Sequence, residues 1–329
     1  MPVKPEMAAF LDDFAASVRL DFATLDAEGL RRVFALPGER TADMDAVRVS
    51  ERVMEVAEQA AYPSALAGRH RDFAPAPPHD VERRSGVKLR IYRPEGGGLL
   101  PVVVWFFGGG FVVGSAEDSD FICAALANRG RCVVVCPDYR LAPEHPFPAA
   151  VDDAMAALRW VAARAAEIGG DAACITVAGD SAGGNLATVC AQAAAREGIG
   201  LRAQILIYPV LDAACDTASW REMGDGYGLT AEWMRWYWRQ YAPDAGDVRA
   251  SPLRAGDVRG VAPAVIHTAE FDILRDEAEM YATRLRAAGV AVMLRRWDGQ
   301  VHGFLRLGAV TQDAEALLGE VVGAVGRDG

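Results

Sequence analysis

Ser181 stands at the tip of a glycine-rich segment, residues 179–184 (GDSAGG). Residues 174–178 before it form an apolar run rich in β-branched side chains, which is typical of a buried strand. Residues 185–197 after it are good helix formers and are followed by Gly198, a common helix-ending residue. A serine on a tight turn between a strand and a helix projects its hydroxyl outward, beside the positive end of the helix. The pattern predicts a nucleophilic serine, although a glycine-rich loop without chemistry could carry the same short motif.

A serine hydroxyl becomes a good nucleophile only when a neighbouring base takes its proton and a third group orients that base. Asp272 and His302 follow Ser181 in the order acid then base, each just past a predicted strand. The rival candidates are weaker, since His267 lies inside a strand and Asp298 is close to His302 in sequence. The alternative role for Asp272 is structural: its carboxylate would only interact favourably with the N-terminal end of the helix that follows.

Gly108, Gly109 and Gly110 follow a continuous apolar run, residues 102–107. They could form a mere tight turn, or a loop whose backbone N–H groups approach an oxyanion closely. The predicted strand precedes the serine's strand by one strand–helix unit, and this spacing favours the second interpretation.

Strands and helices alternate through most of the chain. The predicted strands are 87–92, 102–107, 132–136, 174–178, 203–208, 264–269 and 290–295, and the predicted helices are 118–128, 152–167, 185–197, one ending near Ala288, and 312–325. Such alternation predicts an α/β fold with a mostly parallel sheet and helices on both faces.

Two segments break this alternation. Residues 1–68 are helical in pattern, and residues 74–78 (APAPP) read as a linker or turn. Residues 212–250 read as an insertion that contains a helix capped by Thr230. We therefore divide the chain into an N-terminal helical segment (1–68), a core (69–211 and 251–329) and an insertion (212–250). Each of the two segments carries an apolar stripe that could pack on the core or cover a site: Met7, Phe10, Leu11, Phe14 and Val18 in the first, and Trp233, Trp236, Tyr237 and Tyr241 in the second.

Composition excludes several classes of function. The net charge of −11 over 329 residues argues against binding to nucleic acid or to anionic membrane surfaces. The first 26 residues lack a signal-peptide pattern, and the longest apolar run, 102–114, is too short to span a membrane. The six cysteines show no metal-binding or redox spacing, so we expect reduced thiols in a cytoplasmic protein.

Three stretches together resemble the hormone-sensitive-lipase branch of the α/β-hydrolases, among its bacterial carboxylesterases. They are residues 138–149 (DYRLAPEHPFPA), residues 179–184, and the pair formed by 272–277 (DILRDE) and 302–304 (HGF). The resemblance extends over residues 100–305, about two-thirds of the chain.

The resemblance implies an α/β-hydrolase fold with a helical cap built from the N-terminal segment and the insertion. It implies Ser181 as nucleophile, His302 as base and Asp272 as the residue that orients the base. It further implies an oxyanion hole from the N–H groups of Gly109, Gly110 and Ala182. The implied activity is hydrolysis of small-molecule carboxylic esters with short to medium acyl chains, without a metal or organic cofactor, in a protein that could be a homodimer.

The sequence departs from the family at two places. Phe107 precedes the glycines where the family normally has histidine, so a possible brace of the loop is replaced by apolar bulk, and Ile273 stands where proline is common. The predicted substrate pocket is lined by Phe107, Phe111, Trp233, Trp236 and Tyr237. Two other functions stay open: a binding protein on the same scaffold, as in plant hormone receptors that lack the histidine, and cleavage of an amide, lactone or O-acetyl group by the same three residues.

Overall fold

A computed structural model describes residues 2–17, 27–34, 42–54, 86–243 and 246–326. Within these residues, eight strands form one sheet in the order β1-β2-β4-β3-β5-β6-β7-β8. The strands are Val47–Met54 (β1), Val87–Pro94 (β2), Leu100–Phe106 (β3), Val133–Asp138 (β4), Gly170–Asp180 (β5), Ala203–Ile207 (β6), Ala264–Phe271 (β7) and Val292–Val301 (β8). The pairs β1–β2 and β2–β4 are antiparallel, and all other pairs are parallel. The chain thus has the mostly parallel sheet that its alternation predicts.

Helices flank the sheet and, together with several loops, contribute the rest of the core. They are Pro5–Ser17 (α1), Ala27–Phe34 (α2), Ala42–Asp45 (α3), Asp120–Gly130 (α4), Ala149–Arg164 (α5), Ala182–Glu197 (α6), Ala218–Glu222 (α7), Ala231–Tyr241 (α8), Arg275–Ala287 (α9) and Gln312–Gly326 (α10). None of the helices in the described ranges combines the length and apolar character needed to cross a bilayer.

The central strands are fully buried because their side chains are apolar on both faces. All five residues 102–106 in β3 have no exposed surface, as do Val133, Val134 and Val135 in β4. Strand β2 alternates buried and partly exposed residues over its first half, as its sequence predicts. This buried sheet is the platform from which the loops that carry Ser181, Asp272 and His302 project.

The structure corrects the sequence interpretation at several elements, of which two lie at the ends of the sheet. Residues 47–54 lie in β1, so the prediction of helix throughout 1–68 is wrong there. Their alternating valines and polar residues suit an outer antiparallel strand, and pairing with β2 decides the matter. The last strand is β8, Val292–Val301, and it runs further along the chain than the predicted 290–295. The predicted linker at 74–78 lies outside the described residues.

The parallel strands end at one edge of the sheet, and three of them deliver the predicted catalytic residues there. Ser181 follows β5, Asp272 follows β7, and His302 follows β8. Because the carboxyl ends of neighbouring parallel strands meet at the same edge, residues far apart in sequence come within contact distance.

Candidate active site

Ser181, His302 and Asp272 form a continuous chain of hydrogen bonds. His302 Nε2 lies 2.9 Å from Ser181 Oγ, and His302 Nδ1 lies 2.8 Å from Asp272 Oδ2. Because an ionised carboxylate can only accept hydrogen bonds, Nδ1 carries the proton and Nε2 is left to accept from the serine hydroxyl. The arrangement provides a serine whose proton has an acceptor already in place.

Ser181 sits on a strained turn between β5 and α6. Its φ of 56° and ψ of −118° are unusual for a residue other than glycine. The backbone holds this conformation, since Ser181 N–H donates to the carbonyl oxygen of Ile207 at 2.9 Å. A side chain at Gly183 would overlap the carbonyl oxygen of Phe106, so only glycine allows the helix to approach β3 this closely. The helix begins at Ala182, earlier than predicted, with both glycines inside it.

Asp272 is held from two sides in a buried position. Its side chain has no exposed surface, and its Oδ1 accepts a hydrogen bond from the N–H of Leu274 at 2.9 Å. With Oδ1 occupied by the backbone, Oδ2 is directed at His302. This bond sets the orientation of the carboxylate before any substrate binds.

The glycine loop, residues 107–114, is braced by side chains that sequence analysis did not identify. Asp180 Oδ1 accepts the N–H of Gly108 at 2.9 Å, and Arg306 Nε donates to Asp180 Oδ2 at 3.0 Å. Tyr139 OH donates to the carbonyl oxygen of Phe107 at 2.7 Å. These groups hold the backbone of Phe107 and Gly108, where the resembling family normally has histidine before the glycines. No sequence spacing connects Arg306 with Asp180, so this brace had no signal along the chain.

The structure places the two phenylalanines of the glycine loop in packing contacts. The ring of Phe107 stacks on that of Tyr139 with centroids 4.1 Å apart, and the ring of Phe111 stacks on that of Tyr241 at 4.0 Å. Both phenylalanines are buried, with 1% and 0% of their surface exposed. They therefore support the loop by packing against its neighbours.

The aromatic residues of α8 lie over the glycine loop. A side chain at Gly110 would overlap the ring of Tyr237, so this ring contacts the loop backbone directly. Trp233 stacks near Tyr237 with centroids 6.2 Å apart, and Phe14 of α1 stacks on Trp233 at 6.1 Å. Trp236 meets Tyr237 edge-on at 5.5 Å. Helix α8 begins after Thr230, whose Oγ1 accepts the N–H of Trp233 at 3.1 Å, which confirms the predicted cap.

His267, the rival histidine, lies within β7 and is fully buried. Its Nδ1 accepts a hydrogen bond from Trp297 Nε1 at 3.2 Å. Burial, with Arg295 nearby, lowers the pKa of His267 from 6.5 to about 4. The ring is therefore neutral in the folded protein at neutral pH and serves as a hydrogen-bond acceptor in the core.

The depressed pKa of His267 predicts a loss of stability in mild acid. Below pH 6.5, His267 binds a proton in the unfolded chain but stays neutral in the folded chain. Its contribution to the free energy of unfolding is therefore complete above pH 6.5 and decreases as the pH falls toward the folded-state pKa of about 4. We expect a loss of roughly 2 kcal/mol in the free energy of unfolding as pH falls from about 7.5 to about 5. Urea titrations of the wild type and His267→Gln measure it. An equal loss in the variant, whose amide can still accept from Trp297, would contradict this assignment.

In the described part of the chain no group of three His, Cys, Asp or Glu side chains is arranged to hold a metal ion. The groups brought together at this edge of the sheet are the serine, the histidine and the buried carboxylate, with a backbone loop beside them.

Comparison with known proteins identifies the family. The family model described as "alpha/beta hydrolase fold" matches residues 103–306 of this chain. Ethyl acetate hydrolase of Pseudomonas putida is 41% identical over 249 residues, which are 72% of this chain and 77% of that protein. Carboxylesterase NlhH of Mycobacterium tuberculosis is 43% identical over 249 residues, 73% of this chain and 78% of that protein. A hyperthermophilic esterase from the archaeon Pyrobaculum calidifontis superposes with a TM-score of 0.84 at 35% identity, covering 99% of this chain and 98% of that one. The chain therefore belongs to the α/β-hydrolases, in their hormone-sensitive-lipase-like branch of carboxylic ester hydrolases.

Proposed function

We propose that the protein hydrolyses carboxylic esters with short to medium acyl chains through an acyl-serine intermediate. Ser181 is the nucleophile, His302 the general base and Asp272 the residue that orients the histidine. The observation that carries this proposal is the unbroken hydrogen-bond chain from Asp272 through His302 to Ser181, at 2.8 and 2.9 Å. The esterase names of the relatives support the ester as substrate class.

In the first half-reaction, His302 Nε2 takes the hydroxyl proton as Ser181 Oγ attacks the ester carbonyl carbon. The carbonyl oxygen becomes an oxyanion, and the bond to the alcohol breaks as His302 protonates the leaving oxygen. In the second half-reaction, His302 takes a proton from water, and the hydroxide attacks the acyl-serine. The carboxylic acid leaves as Ser181 recovers its proton.

The oxyanion hole is assigned to the N–H groups of Gly109, Gly110 and Ala182. Among the residues that the structure describes, no protein acceptor receives the N–H of Gly109 or Gly110. Ala182 is the first residue of α6, so its N–H has no partner within the helix. Donors that are fixed in place and aimed at a developing charge stabilise the transition state more than the ground state.

The cap is assigned to the N-terminal segment, 1–68, and to the insertion, 212–250. Support comes from the stacking of Phe14 on Trp233, which joins the two segments. Asn185 in α6 donates to the carbonyl oxygens of Val210, just before the insertion, and of Ala250, its last residue, both at 2.9 Å. The N–H of Val210 donates to the carbonyl oxygen of Ser181 at 3.1 Å, so the two ends of the insertion meet close to the serine. Strand β1 belongs to the sheet, and the cap contribution of residues 1–68 is therefore assigned to their helices.

The pocket wall is assigned to Trp233, Trp236 and Tyr237 of α8, because Tyr237 contacts Gly110. Phe107 and Phe111 act on the same pocket through the glycine loop that they support, since their rings pack on Tyr139 and Tyr241. Bulky rings so close to the loop leave room for small acyl groups and predict a preference for short chains.

Ester and amide substrates that share one leaving chromophore test the proposal. We expect p-nitrophenyl acetate and butyrate to be cleaved faster than octanoate, and laurate to be the slowest. Acetyl-p-nitroanilide should be cleaved far more slowly than the acetate ester. A fluorophosphonate should stop turnover and label the tryptic peptide that contains Ser181. Ester binding without turnover would support the binding-protein alternative, and faster anilide cleavage would support the amidase.

We also propose a cytoplasmic location and a homodimeric assembly. All six cysteines are unpaired, which supports a reducing, cytoplasmic environment. The homodimer rests on the family resemblance, and light scattering of the purified protein tests it.

A further inference from the structure

Arg31 of α2 makes four hydrogen bonds to residues of the core. Its guanidinium donates from Nε to the carbonyl oxygen of Val112 at 2.9 Å and from Nη2 to that of Ala142 at 3.0 Å. Nη1 and Nη2 also pair with the two carboxylate oxygens of Glu144, at 2.9 and 2.7 Å. One side chain thus joins α2 to two loops of the catalytic core.

The two loops that Arg31 contacts are directly connected to the proposed oxyanion donors. The N–H groups of Val112 and Val113 both donate to the carbonyl oxygen of Gly109, at 3.0 and 2.9 Å, so Val112 belongs to the turn that carries Gly109 and Gly110. The N–H of Ala142 donates to the carbonyl oxygen of Phe111 at 2.9 Å, which ties the second loop to the first. The guanidinium completes this link from the cap side.

We infer that Arg31 is a positioning residue that couples the N-terminal helices of the cap to the geometry of the oxyanion loop. This inference rests on the proposed function, since it assigns a role to the loop during ester hydrolysis. Helix α2 is anchored beside it by Leu30, which has no exposed surface. With α2 packed in place, Arg31 restrains the position of the Gly109–Val113 turn through its bond to the carbonyl oxygen of Val112.

The energetics favour an effect on geometry over an effect on stability. The side chains of Arg31 and Glu144 are 31% and 37% exposed, and ion pairs at such exposure contribute little to folding. The two bonds to backbone carbonyls are different, because they restrain the loop that must hold the oxyanion donors in place. Lysine could not replace them, since one ammonium cannot reach two carbonyls and a carboxylate in the planar geometry of a guanidinium.

The test compares Arg31→Ala with Arg31→Lys, Glu144→Gln and a matched control, Arg159→Ala. Arg159 makes a similar bidentate pair with Glu197 on the surface, at 2.8 and 2.6 Å. We expect Arg31→Ala to lower kcat/KM for p-nitrophenyl acetate by about tenfold, with most of the loss in kcat. Arg31→Lys should resemble it. Glu144→Gln, which keeps both carbonyl bonds, should lose less than about threefold. Added guanidinium ion should restore part of the activity of Arg31→Ala and should leave the activity of Arg159→Ala unchanged.

Hydrogen exchange gives a readout that does not depend on turnover. The amides of Val112 and Val113 should exchange faster in Arg31→Ala than in the wild type, while the melting temperature stays close to that of Arg159→Ala. Unchanged exchange at these amides, or a rise in KM with unchanged kcat, would overturn the coupling. A wild type that cleaves no ester would overturn the proposed function, and the exchange result would then stand by itself.

Discussion

Replacement of Ser181 by alanine is expected to lower kcat for p-nitrophenyl acetate by about 10⁵-fold or more. Loss of the hydroxyl removes the atom that forms the acyl intermediate in the proposed mechanism, so the reaction can only proceed by direct attack of water. The remaining rate should come from substrate binding and the oxyanion donors, which by themselves accelerate such reactions about 10³-fold over water. KM should change little, because the hydroxyl contributes to the transition state more than to substrate binding.

Initial rates on the purified variant measure this effect, with Ser50→Ala as the control. Ser50 is exposed on β1 and should keep full activity. The Ser181→Ala variant should also resist labelling by the fluorophosphonate. A residual rate above about 1% of the wild type, beyond what the remaining donors supply, would show that another residue is the nucleophile.

Replacement of Asp272 by asparagine is expected to lower kcat by about 10⁴-fold without unfolding the protein. The reason lies in the two contacts of the carboxylate. Leu274 N–H needs an acceptor, so the amide oxygen takes the place of Oδ1 and the NH₂ group faces His302. His302 Nδ1 must then accept, which puts the ring proton on Nε2 and leaves no acceptor for the proton of Ser181.

The loss in Asp272→Asn should appear in kcat, with the circular dichroism spectrum unchanged. Asp298→Asn serves as the control, since Asp298 is exposed and is the rival acid in sequence. Fluorophosphonate labelling of Ser181 should slow in parallel with kcat, because both reactions need the same base. A large loss in Asp298→Asn with little change in Asp272→Asn would reverse the assignment of the acid.

Local patterns predicted the elements around Ser181 well, because each pattern lies within one element or one turn. The strand before Ser181, the helix after it and the N-cap at Thr230 depend on neighbours a few residues away, so composition and periodicity carry the signal. The same local reasoning failed at β1. Residues 47–54 do alternate valine with polar residues over part of their length, but an edge strand takes its structure from pairing with β2, which no local pattern shows.

The sequence by itself identified the candidate residues for the proposed chemistry: Ser181 through its turn, and Asp272 and His302 through their order after successive strands. Only the tertiary structure decided how the loop beside them is held. The brace from Arg306 through Asp180 to Gly108, and the link from Arg31 to Val112 and Glu144, join residues with no regular spacing in the chain. Such contacts depend on how whole elements pack against one another, because a long side chain reaches a partner on a different element. Periodicity along one element carries no information about which elements are neighbours.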